Sequence, residues 1–317
     1  MTKINMIKQR TLDLSDRFHL KKFFIQLFLY ALLIGLCFVI IYPLISKFSA
    51  VFKSEYDLKD PIVNLIPRNP SFFNLKRVWE NGHYLKSFTN TFFLSFFCAL
   101  FQTASSTSVA YGLARYKFRG RGILYALVIF TIIVPFPTVS SALYIKFRYM
   151  DFFGILSAIG IPVGSSIDTP IPLLLLSLMS IGFKNGLFIF VILQSFKGLP
   201  KAIVEAANVD GANHLQTFYY IMMPQEKPIM TSVFMLSFAW QWTDISYVPL
   251  FLSGQDFLNN MSSRVTTSLG GLGSVQNALS SVLSDTSIFV SILPVLILYI
   301  ICQKSIITGI EQCGITG

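Results

Sequence analysis

The sequence predicts an all-α integral membrane protein: six transmembrane helices, with a polar two-helix segment on the cytoplasmic side between the fourth and fifth. Three observations carry that prediction. The chain of 317 residues is 53% hydrophobic and only 13% charged, with a mean hydropathy of +0.62. A soluble domain needs about 25% charged residues to cover its surface, so water is not the main solvent here. Second, six apolar runs reach the roughly 20 residues that a helix needs to cross the hydrocarbon core: Phe23–Leu44, Phe88–Tyr111, Leu124–Tyr144, Pro172–Gln194, Met230–Leu252 and Ile288–Ile307. Third, lysine and arginine collect in alternate connections, as they do on the cytoplasmic side of a membrane.

The N-terminal tail, 1–22, carries Lys3, Lys8, Arg10, Arg17, Lys21 and Lys22 against Asp13 and Asp16, a net +4. No small-residue cleavage site closes the run 23–44 that follows, so it reads as a retained helix and not a signal peptide. The connection 47–87 is net +3 and faces outside, a mild exception in a long loop, where the charge rule weighs less. From 88 to 308 the chain reads as a five-helix core. The loop after the second span holds Arg115, Lys117, Arg119 and Arg121 with no acid, again +4, and lies inside. The third span contains Pro135 and Pro137, and the fourth is interrupted by Lys184 and Asn185. Both are therefore expected to kink or partly unwind, which neighbouring helices make tolerable. The loops after the third and fifth spans balance to 0 and −1 and lie outside. The tail 309–317 ends the chain inside. Topology thus accounts for the overall net charge of +10 without a nucleic-acid partner.

Composition also thins out enzymes. Three histidines and four cysteines fall at no metal-ligand spacing, and no G-x-x-x-x-G-K-[ST] phosphate loop occurs. The glycine-rich "SLGGLGS", 268–274, follows no strand and precedes no predicted helix, and reads as a plain external loop. Small polar residues in "TASSTSVAYG", 103–112, favour close helix packing and are assigned no ligand.

The polar segment is "LPKAIVEAANVDGANHLQTFYYIMMP", 199–224. Pro200 suits the first turn of a helix. "KAIVEAANV" then puts Ile203 and Ala207 on one face and Glu205 on another. Gly211 can adopt the left-handed geometry that ends a helix. "ANHLQTFYYIMM" reads as a second helix with Leu215, Phe218 and Met222 on one stripe, stopped by Pro224. The residues alone leave two readings open: a handle that a partner protein grips, or a re-entrant connector whose acids are merely solvated.

E-A-A-x-x-x-G followed after nine residues by I-x-x-P resembles the signature of membrane subunits of binding-protein-dependent ABC importers; Glu205, Ala206, Ala207, Gly211, Ile221 and Pro224 fit it. Met223 replaces the usual leucine. The likeness runs from about residue 66 to the end and takes in "SFTNTFF", "AYGLARYKFRGRG", "IVPFPTVSSALY", "WQWTDISYVPLFL" and "LPVLILYIICQKSIITGI". The chain is similar to the carbohydrate-uptake subgroup typified by the smaller permease of the maltose system. The resemblance implies that 200–224, with Glu205, Ala206, Ala207, Asp210, Gly211, Ile221 and Pro224, is a coupling helix seated in a cleft of a separate ATPase. Glu205 would meet a basic residue there, and Gly211 would permit the sharp turn. It further implies partners: a second homologous permease, two copies of the ABC ATPase, an extracytoplasmic solute-binding protein, and membrane lipid around the bundle. The loops 47–87 and 253–285 would face the binding protein. ATP and magnesium would be bound by the ATPase, so this chain holds no cofactor. The membrane would be the bacterial inner membrane, with both termini cytoplasmic. The family tail carries lysine before its last glycine where this chain has Thr316, a departure that weakens the expected contact between tail and ATPase.

Ionisable residues inside spans mark pathways or paired sites. Lys184 and Asp244 qualify, and Asp244 lies beside Trp240, Gln241 and Trp242 in "AWQWTD", an aromatic and amide setting suited to sugars. These five are the candidate translocation path. Set against it, Asp244 suits a helix-bracing hydrogen bond, and Lys184 can snorkel or pair with a carbonyl. A stand-alone secondary carrier or channel is the competing function. It predicts internal repeats or several buried ionisable groups, and the sequence offers no repeat.

Overall fold

The computed structural model describes the chain except for residues 1, 55, 58–59, 61, 64, 150–157, 160–165, 183, 268–272 and 315–317. Among the described residues every regular element is helical. In order they are α1 (Thr2–Phe52), α2 (Phe73–Asn81), α3 (Tyr84–Arg115), α4 (Arg121–Ile133), α5 (Phe136–Arg148), α6 (Ile171–Leu178), α7 (Asn185–Gly198) and α8 (Ala202–Val209). Next comes a continuous helical stretch, α9, built from His214–Gln216, a π-helical turn Thr217–Met222 and Met223–Gln225. Then follow α10 (Lys227–Trp242), α11 (Tyr247–Phe251), α12 (Leu258–Thr267) and α13 (Gly273–Gly314). The chain divides into two compact units, Met1–Asn74 and Leu75–Gly317.

In the first unit, α1 is far longer than the predicted span. Its 51 residues extend about 76 Å at 1.5 Å per residue, against a hydrocarbon core of about 30 Å. The basic tail therefore continues the helix instead of preceding it. Between Phe23 and Ile41 large apolar side chains are exposed all around α1, the surface that lipid tails solvate. Asn74 closes its C-terminus by donating from Nδ2 to the Ala50 and Lys53 carbonyls at 3.2 and 2.7 Å. Buried Asp57 accepts from the Asn69 and Ser54 backbone N–H groups and orders the turn after it.

The second unit is organised inside-out around α3. Its buried face is rich in small and polar residues, Ser87, Thr91, Ser95, Gln102, Thr103, Ser106 and Thr107, set among Leu94, Cys98, Ala99, Ala110, Tyr111 and Leu113. Phe92, Phe93, Phe96, Phe97 and Leu100 face outward. That inversion is what a bundle in lipid requires, because tails solvate phenylalanine while small residues let backbones approach. The predicted packing role of 103–112 agrees with this.

Three of the six predicted spans are interrupted. The 124–144 run bends by 104° between α4 and α5 at Pro135, which lacks a donor and cannot continue the helix. The 172–194 run breaks between α6 and α7, where Ser180 and Lys184 take left-handed backbone with φ of 59° and 65°. Side chains close this gap: Gln102 Nε2 donates to Ser177 Oγ at 3.4 Å, Ser237 donates to Gln102 Oε1, and Asn185 Nδ2 donates to Ser106 Oγ at 3.0 Å. The backbone at the break is met in part by Ser105 Oγ, which donates to the Ser177 carbonyl at 2.9 Å, and by Asn185 N–H, which donates to the Gly182 carbonyl at 3.1 Å, as non-helical backbone at membrane depth requires. The 230–252 run breaks between α10 and α11. By length and composition alone, three helices among the described residues are long and apolar enough to cross a membrane, Lys22–Phe52, Tyr84–Arg115 and Leu279–Ile301, and up to five if the bent pairs α4 with α5 and α7 with α8 each count as one. Six is thus the reading of the sequence, and helix length by itself does not establish it.

Two expectations about loops are corrected. The 253–285 region is not open loop, since α12 and the start of α13 lie within it. The glycine-rich 268–274 stretch does precede a helix: Gly273 opens α13, and 268–272 lie outside the described residues. The changed tail position, Thr316, also lies outside them.

Asp256 ties the start of α3 to α12. It pairs with Arg264, with Lys86 Nζ at 2.9 Å and with His83 Nδ1 at 3.3 Å, while Arg264 also donates to the Gly82 carbonyl at 3.1 Å and to Ser87 Oγ at 2.7 Å. The hydrogen bond from Lys86, with that from His83 and the charge of Arg264, holds the Asp256 carboxyl below its usual value of 3.8. Because the folded value is the lower one, the cluster stabilises fully above the ordinary carboxylate range and loses its contribution as pH falls below it. Asp256→Asn should therefore lower the midpoint of thermal unfolding in detergent at pH 7 by an amount matching about 1–3 kcal/mol. At pH 3 the gap to the natural chain should shrink, and a gap that stays constant with pH would contradict the assignment.

Candidate functional site

The segment 200–224 is built as two helices around a glycine. Helical hydrogen bonding begins from the Pro200 carbonyl, to Ile203 N at 3.4 Å, and α8 proper starts at Ala202. Pro200 thus stands just ahead of the first turn and not in it. Gly211 has φ of +79°. Its N–H donates to Asn208 O at 3.2 Å, and Ala212 N–H donates to Ala207 O at 3.0 Å. This pair of bonds is the Schellman ending, which needs left-handed backbone at that residue. Asn213 then caps α9 reciprocally: its Oδ1 accepts from Gln216 N at 2.8 Å, and Gln216 Oε1 accepts from Asn213 N at 2.9 Å. The sequence signals this box as N-x-x-Q, which the reading that started the helix at Ala212 overlooks.

The inner face of the segment is fixed. Ala207, Thr217, Phe218 and Met222 are buried, and Ile203 packs on the same cluster. The Phe218 ring lies 4.7 Å from that of Tyr111 on α3, and Tyr111 lies 5.4 Å from Phe196 on α7. Leu215, predicted to share this stripe, is 69% exposed instead. The stripe assumes 3.6 residues per turn, and the π-helical turn at 217–222 holds more, so residues before it are rotated away. The outer face carries Glu205, Ala206, Asp210, Gly211 and Pro224, all exposed, while Ile221 is half-buried. Four large apolar or aromatic side chains join them there: Val209, Leu215, Tyr219 and Tyr220.

The five path candidates do not converge on one site. Trp240 stacks on Phe188, with ring centroids 5.5 Å apart, and Lys184 Nζ lies 5.4 Å from the Trp240 ring, so these two do meet. Trp242 is buried in another cluster with Phe238 and Met261, and its Nε1 donates to the Ser291 carbonyl at 2.9 Å. Gln241 is buried. Asp244 is buried too, and its carboxylate accepts the backbone N–H groups of Ser246 at 2.9 Å, Tyr247 at 2.9 Å and Val248 at 2.7 Å. It caps α11 across the break after α10, which is the bracing role weighed against a substrate role. Asn259 completes the corner, donating to the Trp242 and Asp244 carbonyls at 3.0 and 2.6 Å.

Two charged residues beside the segment escaped the reading of the sequence, Arg115 at the end of α3 and Glu226 at the start of α10. Arg115 carried only an orientation signal, and Glu226 carried none.

The profile of the binding-protein-dependent transport system inner membrane components matches residues 106–308. The melibiose/raffinose/stachyose import permease protein MelC of Bacillus subtilis (strain 168) is 28% identical, over 80% of this chain and 84% of that protein. The galactooligosaccharides transport system permease protein GanQ of the same organism is 26% identical, over 92% and 95%. Among solved structures, a bacterial ABC transporter involved in the import of the acidic polysaccharide alginate superposes with a TM-score of 0.65. It covers 87% of this chain and 95% of its own at 23% identity, and so speaks to the fold.

Proposed function

This chain belongs to the family of binding-protein-dependent transport system inner membrane components. On that premise we propose that it forms half of the translocation path for a sugar or oligosaccharide and couples it to a separate ATPase through residues 200–224. It is a multi-pass membrane permease subunit of an ABC importer and itself non-catalytic. The carbohydrate cargo is supported by relatives whose names describe import of melibiose, raffinose and stachyose, or transport of galactooligosaccharides and of maltodextrin.

The single observation that carries the coupling reading is the two-faced segment. Its inner face is locked onto α3 and α7 by Phe218 and Met222, while its outer face leaves Val209, Leu215, Tyr219 and Tyr220 uncovered around Glu205 and Asp210. The charge pattern of the loops supports a cytoplasmic position for that face, where an exposed apolar patch calls for a partner. A cleft on the ATPase takes the aromatic side chains, and a basic residue there meets the Glu205 carboxylate in a charge-assisted bond. ATP, with its magnesium, is bound by that partner. Two ATPase copies, a second homologous permease and an extracytoplasmic binding protein complete the machine, in the bacterial inner membrane with both termini of this chain inside.

The test is co-purification from detergent of the natural chain and of Glu205→Arg, followed by ATPase assay of what elutes. The natural chain should bring an ATPase and a second permease with it, and the variant should lose most of the ATPase, on the order of tenfold for a charge reversal worth about 1.4 kcal/mol or more. Elution of the natural chain alone, or indifference to the change, would leave a stand-alone carrier as the better account.

A further inference from the structure

A half-buried arginine and a buried glutamate stand at the two roots of the 200–224 segment. Arg115 closes α3, and its Nη2 donates to the Leu199 carbonyl at 3.0 Å, where α7 hands the chain to the segment. Glu226 stands where the segment hands the chain to α10. It is 2% exposed, and its Oε2 accepts from Ser195 Oγ on α7 at 2.5 Å. The entry root is therefore held by α3 and the exit root by α7.

Each of these residues is only half satisfied. Arg115 Nε and Glu226 Oε1 are both buried, and neither has a hydrogen-bond partner. Burial pushes the Glu226 carboxyl up from its usual value, while the Ser195 hydrogen bond and then the charge of Arg115 pull it back, so the guanidinium lies within electrostatic reach. Buried polar groups are almost always paired, and each exception asks for an explanation. Of the ten such atoms among the described residues, these two are of complementary charge and stand at the two ends of one segment. Their anchors, Ser195 and Leu199, lie four residues apart at the end of α7, so a spare N–H of a cation and a spare oxygen of an anion stand at neighbouring points of one helix end, between elements that must move relative to one another if the segment transmits force.

We propose that Arg115 and Glu226 are positioning residues that form a clamp with two settings, open in this conformation and closed to a direct ion pair when the segment is displaced during transport. The proposal rests on the coupling reading of 200–224. In the open setting Arg115 holds only Leu199, and the segment is tied to α3 and α7 through separate bonds. In the closed setting Arg115 Nε meets Glu226 Oε1, both orphaned atoms are satisfied, and entry and exit are drawn onto α3 together. The segment then moves with the bundle as one body. A glutamine at 226 keeps the shape and the Ser195 bond but offers no charge, so the closed setting loses its advantage.

The experiment uses the assembled transporter, this chain with its second permease, ATPase and binding protein, in proteoliposomes, and reads solute taken up per ATP hydrolysed. Glu226→Gln and Arg115→Gln should each assemble and hydrolyse ATP yet take up at least about fivefold less solute per ATP. The exchanged double variant R115E/E226R should recover half or more of the natural ratio. A purely structural cap would lower the amount of assembled complex without changing that ratio. An unchanged ratio in both single variants, or an exchange variant no better than the poorer single one, overturns the clamp. Should a single variant fail to assemble, the exchange variant decides alone: half or more of the natural ratio supports the clamp, and less overturns it. If the natural assembly neither hydrolyses ATP nor takes up solute, the coupling reading has failed and the clamp falls with it. If the natural assembly works and the variants match it, the clamp alone is wrong.

Discussion

Replacing Asp244 by alanine is expected to cost the fold about 3 kcal/mol and to lower sharply the amount of folded protein recovered from membranes. The carboxylate accepts three backbone N–H groups at the start of α11, and those of Tyr247 and Val248 are on buried residues. Without it they lose their partner in a place water does not readily reach. Removing an ordinary N-cap costs about 1 kcal/mol, and each donor left buried and unpaired adds about 1–3. Asp244→Asn keeps one carbonyl oxygen in place and should lose roughly half as much. The measurement is thermal unfolding in detergent, followed by tryptophan fluorescence, with uptake normalised to folded protein. If Asp244 braces the corner, uptake per folded molecule stays near the natural value in Asp244→Asn. If it holds substrate, the asparagine variant folds normally and transports poorly, and the bracing assignment fails.

The second large effect is expected at Gly211. Nothing lies within 4 Å of where a side chain would start, so the constraint there is backbone conformation and not space. Left-handed backbone costs an L-residue about 1–2 kcal/mol, more when it is β-branched, while asparagine tolerates it. Gly211→Val should break the turn between α8 and α9 and swing Glu205 and Val209 away from Tyr219 and Tyr220. Solute uptake should then fall on the order of tenfold or more, with the amount of protein in the membrane unchanged. Gly211→Asn should retain most of the uptake. Equal loss in both variants would mean that the turn geometry is not what matters, and equal activity would mean that the segment does not transmit force.

Much of the helical framework was legible because lipid imposes simple rules. Apolar run length located the helices, and Pro135 and the Lys184–Asn185 pair marked two of the breaks. Gly211 announced its own turn, since few residues tolerate φ of +79°. The third break was not legible: Asp244 looks like an ionisable group in mid-span, and only the bonds from Ser246, Tyr247 and Val248 reveal a helix start. The path candidates share one short stretch of sequence, yet Trp240 and Trp242 pack into different clusters, because side chains two apart on a helix point to different sides. Arg115 with Glu226, and His83 with Asp256, are more than a hundred residues apart in the chain, and no local pattern joins them. Tertiary packing alone brings His83 to Asp256 and sets Arg115 and Glu226 at the two roots of the segment.

The π-helical turn Thr217–Met222 has a bearing on how this chain is compared with others. Such a turn contains one residue beyond the α-helical complement, and one residue is about 100° of rotation. The interval from Gly211 to Pro224 therefore encodes an angle as well as a length. A homologue that has lost one residue in this interval would keep both ends of the motif recognisable and still present a different side of α9 to Tyr111. An alignment that places a gap between Gly211 and Pro224 is thus a statement about orientation, and the motif should be matched with its spacing intact.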